Sequence, residues 1–284
     1  MGLVKLKHKE GDQMYKIIAC DLDETLLNAD THVSKKNRKA IQKAVATGVK
    51  FVPATGRGYI SVQNTLKEIG LEQAANEYVI SFNGASITQN KGNQVMYFNG
   101  LPYEVAAELY QYGVELDIAM HVYTQQMVYT YHIDDDERAY MTGRHQFKEI
   151  ENKDLSFLEG QKIAKVLYES LDDNYLHRIA AELGPITQEL DISYSSNRYL
   201  EFNRKGVNKG AGLMKLAEQL RVPIEETIAI GDNFNDLSMI QAAGVGVGVA
   251  NVNPAMKEQC DYITQADNNH GAVAEAIDHF IFNN

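Results

Sequence analysis

Short apolar segments alternate with amphipathic segments in the first third of the chain. Apolar runs of five or six residues that end in polar residues are typical of buried strands. Three such runs are present, namely Tyr15–Cys20, Val49–Pro53 and Tyr78–Phe82. Between the first two, Ser34 is placed to cap a helix that continues to about Thr47. After the second, a helix is predicted to end at about Ile69, because Gly70 follows.

The same alternation returns near the end of the chain. Leu213, Leu216 and Leu220 lie at helical spacing. The elements predicted after this helix are the strands Thr227–Ile230 and Val245–Val249 and the helix Asp236–Ala242. Strands that are separated by helices pair in parallel through right-handed crossovers. The two ends of the chain are therefore predicted to form an α/β domain with a doubly wound parallel sheet.

The middle of the chain has a different pattern. Alternating segments rich in Tyr, Val and Ile predict antiparallel strands. These segments cover residues 95–98, 119–131, 162–169 and 191–203. Helices are predicted over Leu101–Leu116 and Leu171–Leu183, and Gln125-Gln126 is placed to turn a hairpin.

This α+β region divides the α/β domain into two parts. The predicted core consists of residues 14–86 and 204–284, and residues 87–203 form an inserted cap domain. Residues 1–13 are polar and lack the apolar segment of a secretory signal. They are therefore predicted to form an extension outside the fold.

The composition of the 284 residues fits this organisation and excludes several classes of protein. At about 150 residues per domain, the length corresponds to roughly two domains, and an apolar fraction of 44% excludes general disorder. The net charge of −11 disfavours nucleic acid and anionic membranes as partners. The longest apolar run, Ala242–Ala250, is too short to cross a membrane. Two distant cysteines imply no disulfide framework, which favours the reducing cytoplasm.

Polar residues follow three of the predicted core strands at the points where the strands end. The segments are Asp21-Leu22-Asp23-Glu24-Thr25, Thr55-Gly56-Arg57 and Gly231-Asp232-Asn233-Phe234-Asn235-Asp236. Ligands of open parallel sheets bind at the carboxyl ends of strands, so these segments are expected to converge with Lys209. Continued strand geometry would project Asp21 and Asp23 to one side. Four carboxylates at one edge, without nearby His or Cys, favour Mg²⁺ over Zn²⁺.

A magnesium site beside Thr55, Asn235 and Lys209 has the features of a phosphate site. A carboxylate that faces the phosphorus is already ionised at neutral pH, so it can attack without a base. A second aspartate can protonate the leaving oxygen and then take a proton from water, a role worth about 10²–10⁴ in rate. The residues therefore predict phosphoryl transfer through an acyl phosphate.

Together these segments resemble the haloacid dehalogenase (HAD) superfamily of aspartyl phosphotransferases. Asp21–Thr25 has the D-x-D-x-T signature, Thr55 lies in the second motif, and Lys209 matches the third. Gly231–Asp236 matches the fourth motif, G-D-x-x-N-D. The A-T-G-R, N-G and G-V-x-K-G segments and the position of the insertion resemble the Cof-type branch, whose members carry a large α+β (C2-type) cap.

The resemblance implies a role for each matching residue. Asp21 is implied as the nucleophile and Asp23 as the general acid and base. The implied Mg²⁺ ligands are the side chains of Asp21 and Asp232 and the backbone carbonyl of Asp23. The implied phosphate ligands are the Leu22 N–H group, Thr55, Gly56, Lys209 and Asn235. The residues implied around the metal or near the substrate entrance are Asp236, Arg57, Asn83 and Gly84.

Several conspicuous residues have simpler interpretations. Cys20 is expected to be a buried core cysteine, because the loop after it lacks the arginine of a cysteine phosphatase. Gly244–Gly248 lacks the spacing of a dinucleotide-binding loop and predicts closely approaching backbones. His121 and His132 are expected at half-exposed strand positions. Asp134–Glu137 is expected to be the solvated start of a helix.

The sequence and the resemblance predict a cytoplasmic, magnesium-dependent phosphatase that acts on a small phosphorylated metabolite, such as a sugar phosphate. Two alternatives stay open, a phosphohexomutase and a non-catalytic protein that binds phosphosugars. A mutase needs cationic residues in its cap for a second phosphate. The arginines of the predicted cap are widely spaced, at Arg138, Arg144, Arg178 and Arg198. The cap is also expected to close over Asp21 and open again during turnover.

Overall fold

The computed structural model describes residues 14–283, so the predicted extension at residues 1–13 lies outside the described residues. Helices α1 to α8 cover Lys35–Ala46, Gln63–Ile69, Tyr103–Glu115, Asp135–Met141, Asp173–Glu182, Lys209–Leu220, Leu237–Ala242 and Ala272–Ile277. Strands β1 to β14 cover Ile17–Cys20, Lys50–Pro53, Tyr78–Ser81, Ser86–Gln89, Gln94–Phe98, Ala119–Thr124, Val128–Tyr131, Phe147–Ile150, Ile163–Glu169, Leu190–Ser195, Tyr199–Arg204, Thr227–Gly231, Val245–Gly248 and Tyr262–Ile263. No helix in the described range is long and apolar enough to cross a membrane.

The core is a parallel sheet whose strands lie in the order β14-β13-β12-β1-β2. A parallel bridge between Ala54 and Ile80 joins β3 to the edge beyond β2. β1 lies in the interior of the sheet, and all four of its residues are buried. The prediction that strands from both ends of the chain form one parallel sheet is confirmed.

Alternate residues of β1 contribute to two separate apolar layers, because successive side chains of a strand point to opposite faces. Ile18 and Cys20 pack in the layer that contains residues of α1 and α8. Ile17 and Ala19 pack in the layer that contains residues of α6 and α7. Helices therefore cover both faces of the sheet, which confirms the doubly wound arrangement and the buried position of Cys20.

Local hydrogen bonds set the predicted helix ends. The Ser34 hydroxyl accepts from the Asn37 N–H group at the start of α1, and Gly70 ends α2 in a left-handed conformation. At the start of α6, the Asn208 side chain accepts from the N–H group of the third helical residue at 2.9 Å. This helix-capping hydrogen bond fixes the position of Lys209, the first residue of α6.

The crossing into the cap lies later than the predicted boundary at residue 86. β4 and β5 pair in antiparallel fashion with the core strand β3. These backbone hydrogen bonds keep residues 86–98 attached to the core, and the separate cap sheet begins with β6. At the return crossing, β11 is the last cap strand and α6 the first core helix, which is next to the predicted boundary at residue 204.

The inserted region forms a sheet in the order β10-β11-β9-β6-β7-β8, in which only the β7–β8 pair is parallel. The predicted hairpin is present, since β6 and β7 pair on either side of Gln125-Gln126. The single strand expected at residues 191–203 is two strands, because Ser196 and Asn197 take positive φ angles of 53° and 51° and turn the chain. β8 was not predicted, because its residues are exposed or half-buried and show no apolar pattern.

The two faces of the cap sheet differ in composition. One face packs against α3 and α5 in an apolar layer. On the other face, Tyr123 and Leu167 pack in a cluster with Phe82 of the core. We call this second side the core-facing side. By strand alternation, it also presents buried polar residues, among them His121, Lys165, Glu169 and Glu201.

Two expectations for the cap are wrong. His121 is completely buried rather than half-exposed. Asp134 caps α4 as predicted, but Glu137 is fully buried instead of solvated. Arg198 and the Tyr199 hydroxyl both bond the Glu137 carboxylate, so distant residues compensate for its burial.

The glycine-rich segment follows its prediction. A Cβ atom on Gly244 would lie 2.0 Å from the Glu225 carbonyl oxygen, and one on Gly246 would lie 2.4 Å from the Ile240 carbonyl oxygen. Side chains at these positions would therefore collide with neighbouring backbone. β13 needs glycine for close packing, and no dinucleotide is required to explain it.

Glu169 makes the stability of the cap depend on pH. Burial, followed by the negative charges of Glu137 and Asp134, raises the pKa of Glu169 to about 7. Below the ordinary value of about 4.5, the group is protonated in both states and has no effect on stability. Stability is lost as the pH rises from about 4.5 to 7, because the unfolded state ionises in this range while the folded state still disfavours the ionised form, and the loss is complete above 7. We therefore expect Glu169→Gln to unfold at higher urea concentration than the wild type at pH 8, and at a similar concentration at pH 4.

Glu149 is the matched control for this experiment. Its exposed carboxylate bonds Arg138, which lowers the pKa of Glu149. The ionised form of Glu149 therefore stabilises the folded state, which is the opposite of the effect of Glu169. Glu149→Gln should lower the free energy of unfolding by about 0–1 kcal/mol at pH 8. A Glu169→Gln variant that is less stable than the wild type at pH 8 would contradict the prediction.

Candidate active site

The predicted polar segments converge at one edge of the core sheet. Asp21 directly follows β1, and its N–H group donates to a carbonyl oxygen of β12 at 2.9 Å. Thr55 follows β2, and Asp232 follows β12. The carboxylates of Asp21, Asp232 and Asp236 meet there, with one oxygen of each within 4.8 Å of the others.

Lys209 lies at the centre of this cluster. Its side chain is fully buried, and its Nζ lies 2.5 Å from Asp21 Oδ1 and 2.6 Å from Asp236 Oδ1. Burial acts to lower the pKa of Lys209, but the two carboxylates outweigh it and raise the pKa above its ordinary value. The ammonium group is therefore a fixed positive charge between the end of β1 and the turn after β12.

Asp236 holds the turn that carries Asp232. Its Oδ2 accepts from the N–H groups of Asp232 at 2.9 Å and Asn233 at 3.1 Å, while its Oδ1 bonds Lys209. Gly231 is required beside it, because a Cβ atom there would lie 2.5 Å from the Asp236 Cβ atom. Protein donors thus bond both oxygens of Asp236, which suits it to orient the turn.

Thr25 fixes the side chain of Asp232. Its buried hydroxyl donates to Asp232 Oδ1 at 2.6 Å, which links residues 207 positions apart in the sequence. The chain reaches this position through the turn Leu22–Leu26, in which Glu24 takes a positive φ of 58°. The sequence motif includes Thr25, but its spacing gives no indication of this partner.

Asp23 does not join the buried carboxylates. β1 ends at Cys20 and a turn follows, so the expectation that Asp21 and Asp23 continue strand geometry is wrong. The Asp23 side chain is half exposed and forms a two-bond ion pair with Arg57, in which Nε donates to Oδ2 at 2.9 Å. Arg57 therefore connects the loop after β2 with the loop after β1.

Asn83 and Gly84 lie at the end of β3. Asn83 takes a positive φ of 53°, and its Nδ2 donates to Glu201 of the cap at 3.2 Å. Its Oδ1 is buried and has no hydrogen-bond partner among the described residues. Gly84 has a φ of 100°, and a Cβ atom there would lie 2.2 Å from the Asn208 carbonyl oxygen. Glycine at this position lets the start of α6 approach the end of β3.

The other predicted phosphate ligands lie in the loops around this edge. Leu22 and Thr55 are buried, and Gly56 and Asn235 are half-buried. The Thr55 hydroxyl oxygen accepts from the Arg57 N–H group at 3.1 Å, which leaves the hydroxyl hydrogen for a ligand. Their binding roles stay predictions at this point.

The cluster carries excess negative charge in a buried setting. Burial, and then the neighbouring carboxylates, raise the pKa of Asp21 well above its ordinary value. Burial and Asp236 raise the pKa of Asp232 to about 7. Three carboxylates face the single ammonium group of Lys209, so two negative charges are left when all are ionised. One divalent cation would balance them.

The residues present fit such a cation. Oδ1 of Asp21 bonds Lys209, and Oδ1 of Asp232 accepts from Thr25. Within residues 14–283, Oδ2 of each carboxylate has no hydrogen bond with the protein, so both oxygens are left for a metal ion. Carboxylate ligands without His or Cys suit Mg²⁺.

The sequence did not indicate the cap residues that lie close to this site. Lys165 on β9 and Glu201 on β11 are both buried, and Lys165 Nζ lies 2.5 Å from Glu201 Oε2. Their signal in the sequence is a charged residue within an otherwise apolar strand segment. That signal alone cannot identify a site, because the partner of Glu201 in the core, Asn83, is 118 positions away.

Comparison with known proteins defines the family. The sequence pattern of the haloacid dehalogenase-like hydrolases matches residues 18–277 of this chain. The chain belongs to this family, which confirms the resemblance found from the four motifs. The parallel core sheet with an inserted cap is the corresponding fold.

Individual relatives cover nearly the whole chain. The Bacillus subtilis (strain 168) protein YxeH is 34% identical over 269 residues, which are 93% of this chain and 97% of the relative. The 5-amino-6-(5-phospho-D-ribitylamino)uracil phosphatase YcsE of the same organism is 30% identical over 94% of this chain and 96% of the relative. The crystal structure of a haloacid dehalogenase-like hydrolase from Bacteroides thetaiotaomicron matches with a TM-score of 0.82 and 30% identity, over 93% of this chain and 99% of that one. The chain is thus an enzyme of the phosphatase type.

Lys209 should be essential for the stability of the core. In Lys209→Met the side chain keeps its length, but Asp21 and Asp236 lose their counter-charge in a buried site. Removal of one partner from a buried ion pair costs about 3–5 kcal/mol. We expect urea unfolding of the chelator-treated protein to show a loss of this size.

Lys215 on the same helix is the matched control. It is partly exposed, it pairs with Glu218 one turn away, and its Nζ lies 5.8 Å from the centroid of the Tyr97 ring. Lys215→Met should change the free energy of unfolding by no more than about 0.5 kcal/mol. Equal unfolding midpoints for the two variants would show that the buried ion pairs do not stabilise the core.

Proposed function

We propose that this enzyme is a magnesium-dependent phosphatase that hydrolyses small phosphomonoesters, sugar phosphates in particular, through a phosphorylated Asp21. One observation carries the proposal, namely the buried cluster in which Asp21 contacts Lys209 and lies beside Asp232. An anionic nucleophile, a fixed cation and a pair of carboxylates for a metal are the groups that phosphoryl transfer requires.

Asp21 is proposed as the nucleophile because the protein holds it from two directions. Its backbone N–H group bonds β12, and its carboxylate bonds Lys209. Attack of the carboxylate on phosphorus forms an acyl phosphate and releases the leaving oxygen. Water then attacks the same phosphorus, which releases inorganic phosphate and restores Asp21. Lys209 supports both steps because its charge stabilises the phosphate oxygens.

Asp21 and Asp232 are proposed to hold Mg²⁺ by side chain, and Asp23 by its backbone carbonyl. When bound, the metal supplies positive charge to the phosphate and to the buried carboxylates. Thr25 and Asp236 keep Asp232 in place through its side chain and its backbone, respectively. The proposed phosphate ligands are the Leu22 N–H group, Thr55, Gly56, Lys209 and Asn235.

Asp23 is proposed as the general acid and base for the leaving oxygen. Its ion pair with Arg57 holds the carboxylate at the half-exposed rim, outside the buried cluster. The Asp23 side chain is 52% exposed, so a substrate can approach its carboxylate and take the place of Arg57 there. Asp23 is then available to donate a proton to the leaving group and to take one from water.

Two observations support a small polyol or sugar as the leaving group. The relative YcsE is named as the phosphatase of a phosphoribityl compound. In this chain, a small cleft lies between the core loop with Gly58 and Ile60 and the cap residues Tyr123 and His145. A cleft of this size, lined by residues of both core and cap, favours a compact leaving group.

The mutase alternative finds no support among the four arginines of the cap. A second phosphate is held best by a cluster of arginines that have no other partners. Arg138 and Arg198 are held in ion pairs, and Arg144 and Arg178 lie against tyrosine rings. Because the chain is also a phosphatase by family, hydrolysis is favoured over both the mutase and the non-catalytic alternative.

We also place the enzyme in the cytoplasm. The sequence has two cysteines, Cys20 and Cys260, which lie 240 positions apart and imply no disulfide framework. Proteins of reducing compartments do not depend on disulfides for their stability, so this arrangement supports a cytoplasmic location.

Separate replacements of Asp21 and Asp23 should distinguish the nucleophile from the acid. We expect Asp21→Asn to lose about 10³-fold or more of kcat on every phosphomonoester, because an amide cannot form the acyl phosphate. Asp23→Asn should lower kcat by about 10²–10⁴-fold on an alkyl phosphate. It should lose far less on p-nitrophenyl phosphate, whose leaving group needs no proton. Phosphate release with Mg²⁺ and with chelator measures both effects.

Asp30→Asn, an exposed replacement in the loop that follows the same turn, is the control and should keep wild-type activity. Full activity of Asp21→Asn would exclude Asp21 as the nucleophile. Equal losses of Asp23→Asn on the two substrates would exclude its role as the acid. Turnover in chelator would exclude the metal requirement.

A further inference from the structure

A buried ion pair on the core-facing side of the cap lies opposite the active-site edge of the core. Lys165 and Glu201 are 3% and 5% exposed, and they come from the paired strands β9 and β11. Burial of two charges is costly unless their geometry and further hydrogen bonds compensate. The mechanism proposed above uses neither residue, so their burial needs a separate explanation.

The carboxylate of Glu201 is bonded at both oxygens. Oε1 accepts from the Ser195 hydroxyl. Oε2 accepts from Lys165 Nζ at 2.5 Å and from Asn83 Nδ2 at 3.2 Å. Burial acts to raise the pKa of Glu201, but Lys165 and Ser195 together bring it below its ordinary value. The carboxylate is therefore ionised, and one of its bonds crosses from the cap to the core.

That crossing bond determines which way the Asn83 amide faces. Because a carboxylate can only accept, Nδ2 must lie toward Glu201 and Oδ1 must lie on the other side. Asn83 is 6% exposed, and Oδ1 has no partner among the described residues. A Cβ atom on Gly56 would lie 3.1 Å from this oxygen. An acceptor without a partner is thus held beside a proposed phosphate ligand.

A buried acceptor without a partner is satisfied when a ligand supplies a donor. Phosphate oxygens are acceptors at neutral pH, so the phosphate itself cannot satisfy Asn83 Oδ1. A hydroxyl group close to the phosphoester can. Phe82 and Tyr123 line the adjacent cleft, and the Tyr123 ring centroid lies 4.8 Å from Lys165 Nζ. The ion pair therefore lies next to the volume proposed for the leaving group.

We propose that Asn83 binds a hydroxyl group of the leaving group through Oδ1, and that Glu201 and Lys165 are the positioning residues that orient it. The inference rests on the proposed function and deepens it. Because Lys165 and Glu201 neutralise each other, the site favours an uncharged, hydroxyl-bearing leaving group. The substrate class is therefore the phosphomonoesters of polyols and sugars, in preference to alkyl phosphates.

A matched pair of substrates tests this selectivity. Ribitol 5-phosphate and n-pentyl phosphate have the same carbon chain with and without hydroxyl groups. We expect the wild type to have a kcat/KM at least about tenfold higher on ribitol 5-phosphate, the effect of one good hydrogen bond. The double variant Lys165→Met/Glu201→Leu leaves no unpaired buried charge, so it should fold. It should lose most of this preference, chiefly through a higher KM for ribitol 5-phosphate.

The cap supplies a matched control for this variant. Arg198 and Glu137 form a second ion pair with a buried carboxylate, and no bond from either reaches Asn83. Arg198→Met/Glu137→Leu should therefore keep the wild-type preference for ribitol 5-phosphate.

A replacement of Asn83 itself tests the same inference from the core. Asn83→Gly tolerates the positive φ and should lose the preference without any change in the cap. Combined with Lys165→Met/Glu201→Leu, it should add no further loss, because the three residues act as one unit.

The outcomes separate this inference from the proposed function. Failure of the wild type to hydrolyse either substrate or p-nitrophenyl phosphate would overturn the proposed function. Hydrolysis without preference for ribitol 5-phosphate, or hydrolysis of p-nitrophenyl phosphate alone, would overturn the inference only. The inference would also be overturned if Asn83→Gly kept the preference for ribitol 5-phosphate. It would likewise be overturned if Arg198→Met/Glu137→Leu lost this preference as fully as Lys165→Met/Glu201→Leu.

Discussion

The ammonium group of Lys209 is the contact on which the active-site edge depends. It is buried between Asp21, at the end of β1, and Asp236, in the turn after β12. These carboxylates can share one ammonium group only because β1 and β12 are neighbours in register. Lys209 reaches them only because Gly84 lets the start of α6 approach β3. The strand order of the core and the chemistry of its edge are therefore parts of the same constraint.

The same cluster limits the stability of the core. Lys209 compensates one of three buried carboxylates, and the remaining repulsion is visible in the raised pKa values of Asp21 and Asp232. The fold accepts this because other bonds fix the carboxylates, with Thr25 on the Asp232 side chain and Asp236 on its backbone. Because these bonds fix the carboxylates, the site keeps its geometry before a metal ion or a phosphate binds. Phosphoryl transfer depends on preorganisation of this kind.

The core was predictable from the sequence because local signals agree with the fold there. Its interior strand β1 is apolar throughout, and the polar loops follow the strands directly. In the cap, the decisive interactions join distant residues. Glu137 on α4 has the sequence context of a solvated residue, but Arg198 and Tyr199 bond it from the turn before β11 and from the first residue of that strand. At the site, the turn after β1 sends Asp23 to Arg57, which no spacing rule indicates. Pairwise contacts of this kind have no signature in the order of residues.

Buried charges are unbalanced at the active-site edge of the core and paired in the cap, and this difference fits the proposed roles of the two domains. The core edge keeps unbalanced charge, because the phosphate and its metal are charged in every substrate. On the core-facing side of the cap, Lys165 is paired with Glu201 and Arg198 with Glu137, so these four residues add little net charge to the side that faces the core. A cap of this kind distinguishes substrates by hydrogen bonds and shape, which differ between leaving groups. Asn83 connects the two regions. Its loop belongs to the active-site edge of the core, and Glu201 of the cap orients its amide.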